Sequence, residues 1–280
     1  MEPIPLTATL SADDLRALRV AKTQLESPSL TMKLAGMVGS PVEKLISSLP
    51  AVANEKIADA TQIALRKCLQ IALRTLGKAE PSSGAFDKPS NLLHKLAVAT
   101  TGAAGGAFGF LALPVELPVT TTLMFRSICD IARSEGEDLT AIDSQLQCLA
   151  VLAMGSLPKA GSAGEDAELG YFIVRGALAQ QVSKASSEIA AKGFTAHSST
   201  ALVRLVNAIA SRFSVQVSEQ VAAKSIPAIG AVLGAMVNTV FIDHFQQMAH
   251  GHFTVRRLEH RYGQEAVKAA YQTIDVSLDA

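Results

Sequence analysis

Residues 96–115 read LAVATTGAAGGAFGFLALPV and residues 225–242 read SIPAIGAVLGAMVNTVFI, and neither stretch contains a charged side chain. In a helix, glycines four residues apart form a flat stripe that lets a second helix backbone approach closely. The two stretches contain three such pairs: Gly102 with Gly106, Gly105 with Gly109, and Gly230 with Gly234. Each glycine costs about 1 kcal/mol relative to alanine in a helix, and close packing would offset that cost.

We therefore predict that the two uncharged stretches are helices packed against each other. They are either the buried central helices of a bundle or an element that inserts together into a bilayer, because 20 and 18 uncharged residues approach the thickness of a hydrocarbon core. Glycine, alanine and threonine contribute little to membrane partition and both stretches contain proline, so we favour the buried helices.

The rest of the chain also has a helical hydrophobic period and contains no alternating pattern of useful length. The fold class that follows is all-α, a multi-helix bundle. Residues 78–90, with two prolines, a glycine and several serines, are the best candidate for an internal boundary. They separate an N-terminal helical segment, residues 1–80, from a helical core, residues 90–275. Pro114 and Pro118 should break the chain before a helix that ends at Glu135, and a long helix from Pro227 to His260 allows a kink at Gly251.

Composition excludes several classes of function. The 280 residues contain 25 basic and 25 acidic side chains, so the net charge is zero and no nucleic-acid partner is expected. Three scattered cysteines fit reduced thiols in a cytoplasmic protein. The N-terminus has no basic region typical of a secretory signal. No phosphate-binding loop or dinucleotide fingerprint is present, so no cofactor is predicted.

Several segments in order resemble the EcsC protein family: residues 101–110, 113–128, 130–133, 136–139, 226–231 and 249–257, with Asn238. Members of that family have no established enzymatic activity, and its namesake lies beside the components of an ABC transport system. The resemblance implies an accessory role linked to a membrane, to transport or to secretion. It gives no active site, but its segments contain nine candidate functional residues: Glu116, Pro118, Thr121, Arg126, Asp130, Arg133, Glu137, Asp138 and Asn238. His244, one of the C-terminal histidines, is a further candidate.

Glu116 is the most informative single residue, because it is the first charge after twenty uncharged residues and lies between two prolines. At the start of a helix its carboxylate would accept free backbone N–H groups, and we favour this cap. The alternative is a buried acid that binds a cation or a basic partner, or that pairs with Arg126.

Two i,i+4 pairs follow on the same helix: Arg126 with Asp130, and Arg133 with Glu137. Such pairs contribute only about 0.2–0.5 kcal/mol.

An acidic cluster follows the end of that helix: Glu135, Glu137 and Asp138. We interpret it as a solvated turn in which Gly136 adopts the left-handed conformation, with a divalent-cation site as the alternative.

Four histidines lie near the C-terminus: His244, His250, His252 and His260. No metalloprotease spacing is present, so we predict a polar helix surface and no metal site. Three arginines in the same region, Arg256, Arg257 and Arg261, could instead face anionic lipid.

The leading functional hypothesis is a non-enzymatic protein that contacts a membrane lipid or a hydrophobic ligand, cytoplasmic or peripheral at the inner face of the cell membrane. One alternative is a hydrolase or metal-dependent enzyme that uses Glu116, the acids of residues 135–138 or the histidines. The other is an interaction module that docks on an ABC transporter or a secretion component.

Overall fold

The computed structural model describes residues 10–26, 29–39, 41–47, 49–75, 113–155, 165–192, 199–224 and 230–275. These residues form ten helices and no strand, which confirms the all-α prediction. The helices are α1 (Ala12–Leu25), α2 (Leu30–Val38), α3 (Val42–Ser47), α4 (Ala51–Thr75), α5 (Leu113–Ser134), α6 (Ile142–Met154), α7 (Glu165–Lys192), α8 (Thr200–Lys224), α9 (Gly230–Tyr262) and α10 (Gln264–Thr273).

Helix α6 is the centre of the bundle. Residues 144–154 are all buried, and the helix packs against α4, α5, α7, α8 and α9. A helix that is apolar on every side has no solvent face to present, so its neighbours must surround it. The sequence LQCLAVLAM at 146–154 meets that requirement with small and medium apolar side chains.

Helix α9 is the longest element, with 33 residues, and extends for roughly 50 Å. It contacts α1, α2, α5, α6, α8 and α10. It continues through Gly251 without interruption, so this residue does not end the helix.

Helices α5 and α9 run parallel to each other. Three side-chain contacts between them have residue numbers that increase together along both helices: Glu116 with Asn238 at 3.0 Å, Ser127 with Gln246 at 2.7 Å, and Glu135 with Arg257 at 2.9 Å. The two helices therefore begin at the same end of the bundle. The described parts of the two uncharged stretches, residues 113–115 and 230–242, are the first residues of α5 and of α9, so both parts begin at this end.

The predicted break at Pro114 and Pro118 is wrong, because α5 already begins at Leu113 and includes both prolines. Pro114 lies in the first turn, where backbone N–H groups have no partner within the helix and a missing one costs nothing. Pro118 removes one hydrogen bond near the start, and its ring is buried.

The glycine stripes are only partly within the described residues. Gly230 is the first residue of α9 and Gly234 is buried on it, whereas Gly102, Gly105, Gly106 and Gly109 lie outside the described residues. The prediction that the stripes pack together stays a prediction. Across the part of the chain that the structure describes, no helix is both long enough and apolar enough to cross a bilayer.

Candidate functional site

The candidate site is a polar cluster where α5 begins, α8 ends and α9 begins. The Lys224 ammonium is paired with the Glu116 carboxylate, whose Oε1 also accepts a hydrogen bond from Asn238 Nδ2 at 3.0 Å. Asn238 Oδ1 in turn accepts one from Gln220 Nε2 at 2.6 Å. Asn238 is fully buried, and the Glu116 and Lys224 side chains are only 10% and 8% exposed. We call these four residues the Glu116 cluster.

Both charges of the Glu116 cluster lie at helix ends that favour them. Glu116 is in the first turn of α5, where the helix dipole stabilises an anion, and Lys224 is the last residue of α8, where it stabilises a cation. Burial lowers the pKa of Lys224, and the neighbouring Glu116 carboxylate opposes that shift. The acid is therefore more than a helix cap, since its cation comes from α8.

A cavity of about 10 Å³ lies beside the pair and is lined by Thr120, Gln220 and Leu117 as well as the two charged residues. This space holds about one water molecule. Because the two charges neutralise each other and the cavity among the described residues is so small, we interpret the Glu116 cluster as a clamp that holds the start of α5 and the start of α9 to the end of α8.

The clamp makes a testable prediction. Glu116→Leu should lower the free energy of unfolding by about 2 kcal/mol, because it leaves the Lys224 ammonium buried without a counter-charge. Adding Lys224→Met should recover at least half of that loss, since an apolar pair of similar size removes the unpaired charge. Urea denaturation of the two single variants and the double variant measures both effects. If the loss of unfolding free energy in the double variant equals the sum of the losses in the two single variants, the two side chains do not interact.

A second buried polar group lies deeper, at the end of α6. His244 Nε2 is 3.0 Å from the carbonyl oxygen of Gly155, and this oxygen only accepts, so Nε2 carries the proton. Burial lowers the pKa of His244 to about 4, which keeps the ring neutral near pH 7. The Gln216 amide is 1% exposed and has no hydrogen-bond partner among the described residues. A side chain at position 155 would crowd this region, because a Cβ added to Gly155 would lie 2.9 Å from Gln216 Nε2.

The acidic cluster at 135–138 is not a solvated turn as predicted. Glu137 is buried and accepts hydrogen bonds from Arg256 Nε at 2.7 Å and from Ser144 Oγ at 2.7 Å. Gly136 does adopt the left-handed conformation, with φ of 90°. Asp138 is exposed and accepts from the backbone N and the hydroxyl of Thr140.

The predicted basic surface is largely neutralised by carboxylates. Arg256 also lies 3.3 Å from Asp143, and Arg257 donates to Glu135 at 2.9 Å. Arg261 donates to Asp14 of α1 at 3.0 Å. These arginines therefore join α9 to α1 and to the α5–α6 connection, and a role on anionic lipid has no support from their geometry.

The other predicted residues on α5 lie away from the Glu116 cluster. Arg126 is exposed, and Arg133 pairs with Asp130 at 3.2 Å, so Glu137 is not the partner of Arg133. Thr121 is fully buried, and its carbonyl oxygen accepts a weak hydrogen bond from Cys68.

The histidines do not converge. His252 is fully buried against the Tyr171 hydroxyl at 3.0 Å, His250 lies 3.9 Å from Glu135, and His260 is exposed. No group of three potential metal ligands forms among the described residues. Glu116 thus lies at the opposite end of α5 from the acids of residues 135–138, whereas His250 lies beside those acids.

Sequence reasoning missed Lys224 and Gln220, although a signal for Lys224 was present. Glu116 directly follows the first uncharged stretch, and Lys224 directly precedes the second. Two opposite charges that border two stretches predicted to pack together are candidates for a pair.

Comparison with protein-family models matches residues 12–258 to the EcsC protein family. No curated protein and no solved structure matches the chain.

Proposed function

The chain belongs to the EcsC protein family, and from this premise we propose that it is a non-enzymatic helical protein that contacts a membrane. The contact would lie at the end of the bundle where α5 and α9 begin. One observation carries the proposal: Glu116, the first residue after one stretch, is hydrogen-bonded to Asn238 inside the other at 3.0 Å.

Exposed apolar side chains at this end support the proposal. Val115 is 75% exposed and lies one turn before Val119, which is 39% exposed on the same face of α5. Met236, two residues before Asn238 on α9, is 47% exposed. Apolar surface next to an uncharged segment favours contact with lipid. Its transfer out of water lowers the free energy, and no charged group has to be desolvated.

The clamp gives this surface a fixed position. Glu116 and Lys224 beside it are paired with each other, so approach to lipid does not bring either of them to the bilayer as an isolated ion. We further propose an accessory role in transport or secretion at the inner face of the cell membrane, because the namesake of the family lies beside the components of an ABC transport system. A hydrophobic ligand is the alternative occupant of the same surface.

Co-sedimentation with vesicles tests the proposal. We expect the protein to sediment with vesicles of phosphatidylcholine and phosphatidylglycerol, and the double variant Val115→Asp/Met236→Asp to reduce the bound fraction at least fivefold. Ile173→Asp on α7 is the matched control, because Ile173 is 59% exposed at a different part of the bundle. It should sediment as the unchanged protein does.

Two results would contradict the proposal. The first is a protein that stays in the supernatant with both neutral and anionic vesicles. The second is an equal loss of binding in the control variant, which would show that an added negative charge reduces vesicle binding wherever it lies on the protein.

A further inference from the structure

A separate groove lies between α7 and α8. Its volume is about 860 Å³, which falls within the range of small-molecule sites. Its walls come from the second half of α7 and the first two turns of α8.

Two cations line this groove from opposite walls. Lys184 is on α7 and Arg204 is on α8, and both are exposed. Among the described residues, neither has an ion-pair or hydrogen-bond partner. The one carboxylate of the lining, Glu188, is already engaged: its Oε2 accepts from Ser199 Oγ at 2.7 Å and from the backbone N of Ala201 at 3.3 Å. Both donors to Glu188 are neutral, so its charge remains, and the two cations and this one carboxylate give the lining a net charge of +1.

The neutral part of the lining consists mainly of hydroxyls and amides: Gln181, Ser183, Ser187, Thr200 and Asn207. The Oε1 atom of Gln181 is buried and has no hydrogen-bond partner among the described residues. Small-molecule sites are usually apolar, whereas the apolar side chains here are two alanines. Such a lining selects a polar ligand.

We infer that this groove binds a small polar molecule that carries a phosphate group. Lys184 and Arg204 would contact the phosphate from the two sides, with the guanidinium suited to two phosphate oxygens at once. The hydroxyls and amides would hydrogen-bond a polyol portion.

The groove is distant from the proposed membrane contact. Arg204 and Lys224 are 20 residues apart on α8, which corresponds to roughly 30 Å along the helix. The inference therefore does not rest on the proposed function.

Binding of sn-glycerol 3-phosphate, measured by isothermal titration calorimetry, tests the inference. We expect saturable binding that weakens at least tenfold in Lys184→Gln/Arg204→Gln. The matched control is Lys67→Gln/Arg212→Gln, which removes one lysine and one arginine charge outside the groove. Its affinity should stay within twofold of that of the unchanged protein. A parallel arm uses vesicles with and without phosphatidylglycerol, because a lipid headgroup carries the same phosphate.

The outcomes distinguish a free phosphate ester from a lipid headgroup as the ligand. Loss of sn-glycerol 3-phosphate binding only in the groove variant supports a free phosphate ester as the ligand. Binding to phosphatidylglycerol vesicles alone, lost in the groove variant but kept in Val115→Asp/Met236→Asp, supports a headgroup. Binding to neither probe, or equal binding by the groove and control variants, overturns the inference.

Discussion

Glu137→Gln is expected to lower the free energy of unfolding by about 3–4 kcal/mol at pH 7. The Glu137 and Arg256 side chains are only 5% and 13% exposed, so removal of the carboxylate charge leaves the guanidinium with little water and with Asp143, 3.3 Å away and 47% exposed, as a weaker counter-charge. Breaking a buried pair on one side typically costs about 3–5 kcal/mol. Asp130→Asn is the matched control: it removes one acid from the exposed Arg133 pair and should cost less than about 0.5 kcal/mol.

The same variant should change how stability depends on pH. Burial alone would raise the pKa of Glu137, but hydrogen bonds from Arg256 and Ser144 outweigh it and the pKa lies below its ordinary value of 4.5. A carboxyl with a lowered folded-state pKa stabilises the fold above its unfolded pKa, and this contribution is lost as the pH falls through the folded-state value. The difference in the free energy of unfolding between the unchanged protein and Glu137→Gln should therefore begin to narrow near pH 4.5 and continue to narrow as the pH falls further. An equal gap at pH 7 and pH 3 would show that lost packing, not charge, causes the effect.

The helices were predictable because their signals are local. Ser11, for example, accepts a hydrogen bond from the Asp14 backbone N and caps α1, as the spacing of these two residues indicates. Thr140 and Asp143 have the same spacing, but the Thr140 hydroxyl donates to Asp138 and α6 begins without a side-chain cap. The Asp138 carboxylate, two residues before Thr140, accepts the hydrogen bond of this hydroxyl and so competes with the cap.

The partners of the charged residues were not predictable in the same way. Glu137 and Arg256 are 119 residues apart, and nothing near either residue specifies the other. The i,i+4 rule assigned Glu137 to Arg133, a pair that contributes only about 0.2–0.5 kcal/mol on an exposed helix. Burial against α9 outweighs so small a preference. Charges that border buried segments are therefore best assigned after the packing of the helices is known.

Lys22 illustrates the same limit on α1. Its side chain is 1% exposed, and its ammonium donates to the backbone oxygens of Tyr271 at 3.0 Å and Ile274 at 2.7 Å. The ammonium satisfies carbonyls that the end of α10 leaves without partners. From sequence alone, a lysine on a short amphipathic helix indicates a solvent face.

Gly251→Ala is expected to lower the free energy of unfolding by about 3 kcal/mol, at the upper end for an overpacked site. Sequence reasoning treated this glycine as a possible kink, but the structure gives it another role: α1 crosses α9 directly above it. A Cβ at Gly251 would lie 2.6 Å from Leu25 Cγ and 2.9 Å from the backbone oxygen of Ala21. The backbone of α1 cannot move away cheaply, because Asp14 and Lys22 hold it at both ends.

Gly176→Ala on α7 is the matched control, because a Cβ there would meet nothing within 4 Å. Alanine is the better helix former, so this variant should gain about 0.5–1 kcal/mol. Thermal and urea denaturation of the two variants should therefore move in opposite directions. Stabilisation by both substitutions would mean that α1 does not lie against α9 as described. Destabilisation by Gly251→Ala that Leu25→Ala relieves would locate the clash at the crossing itself.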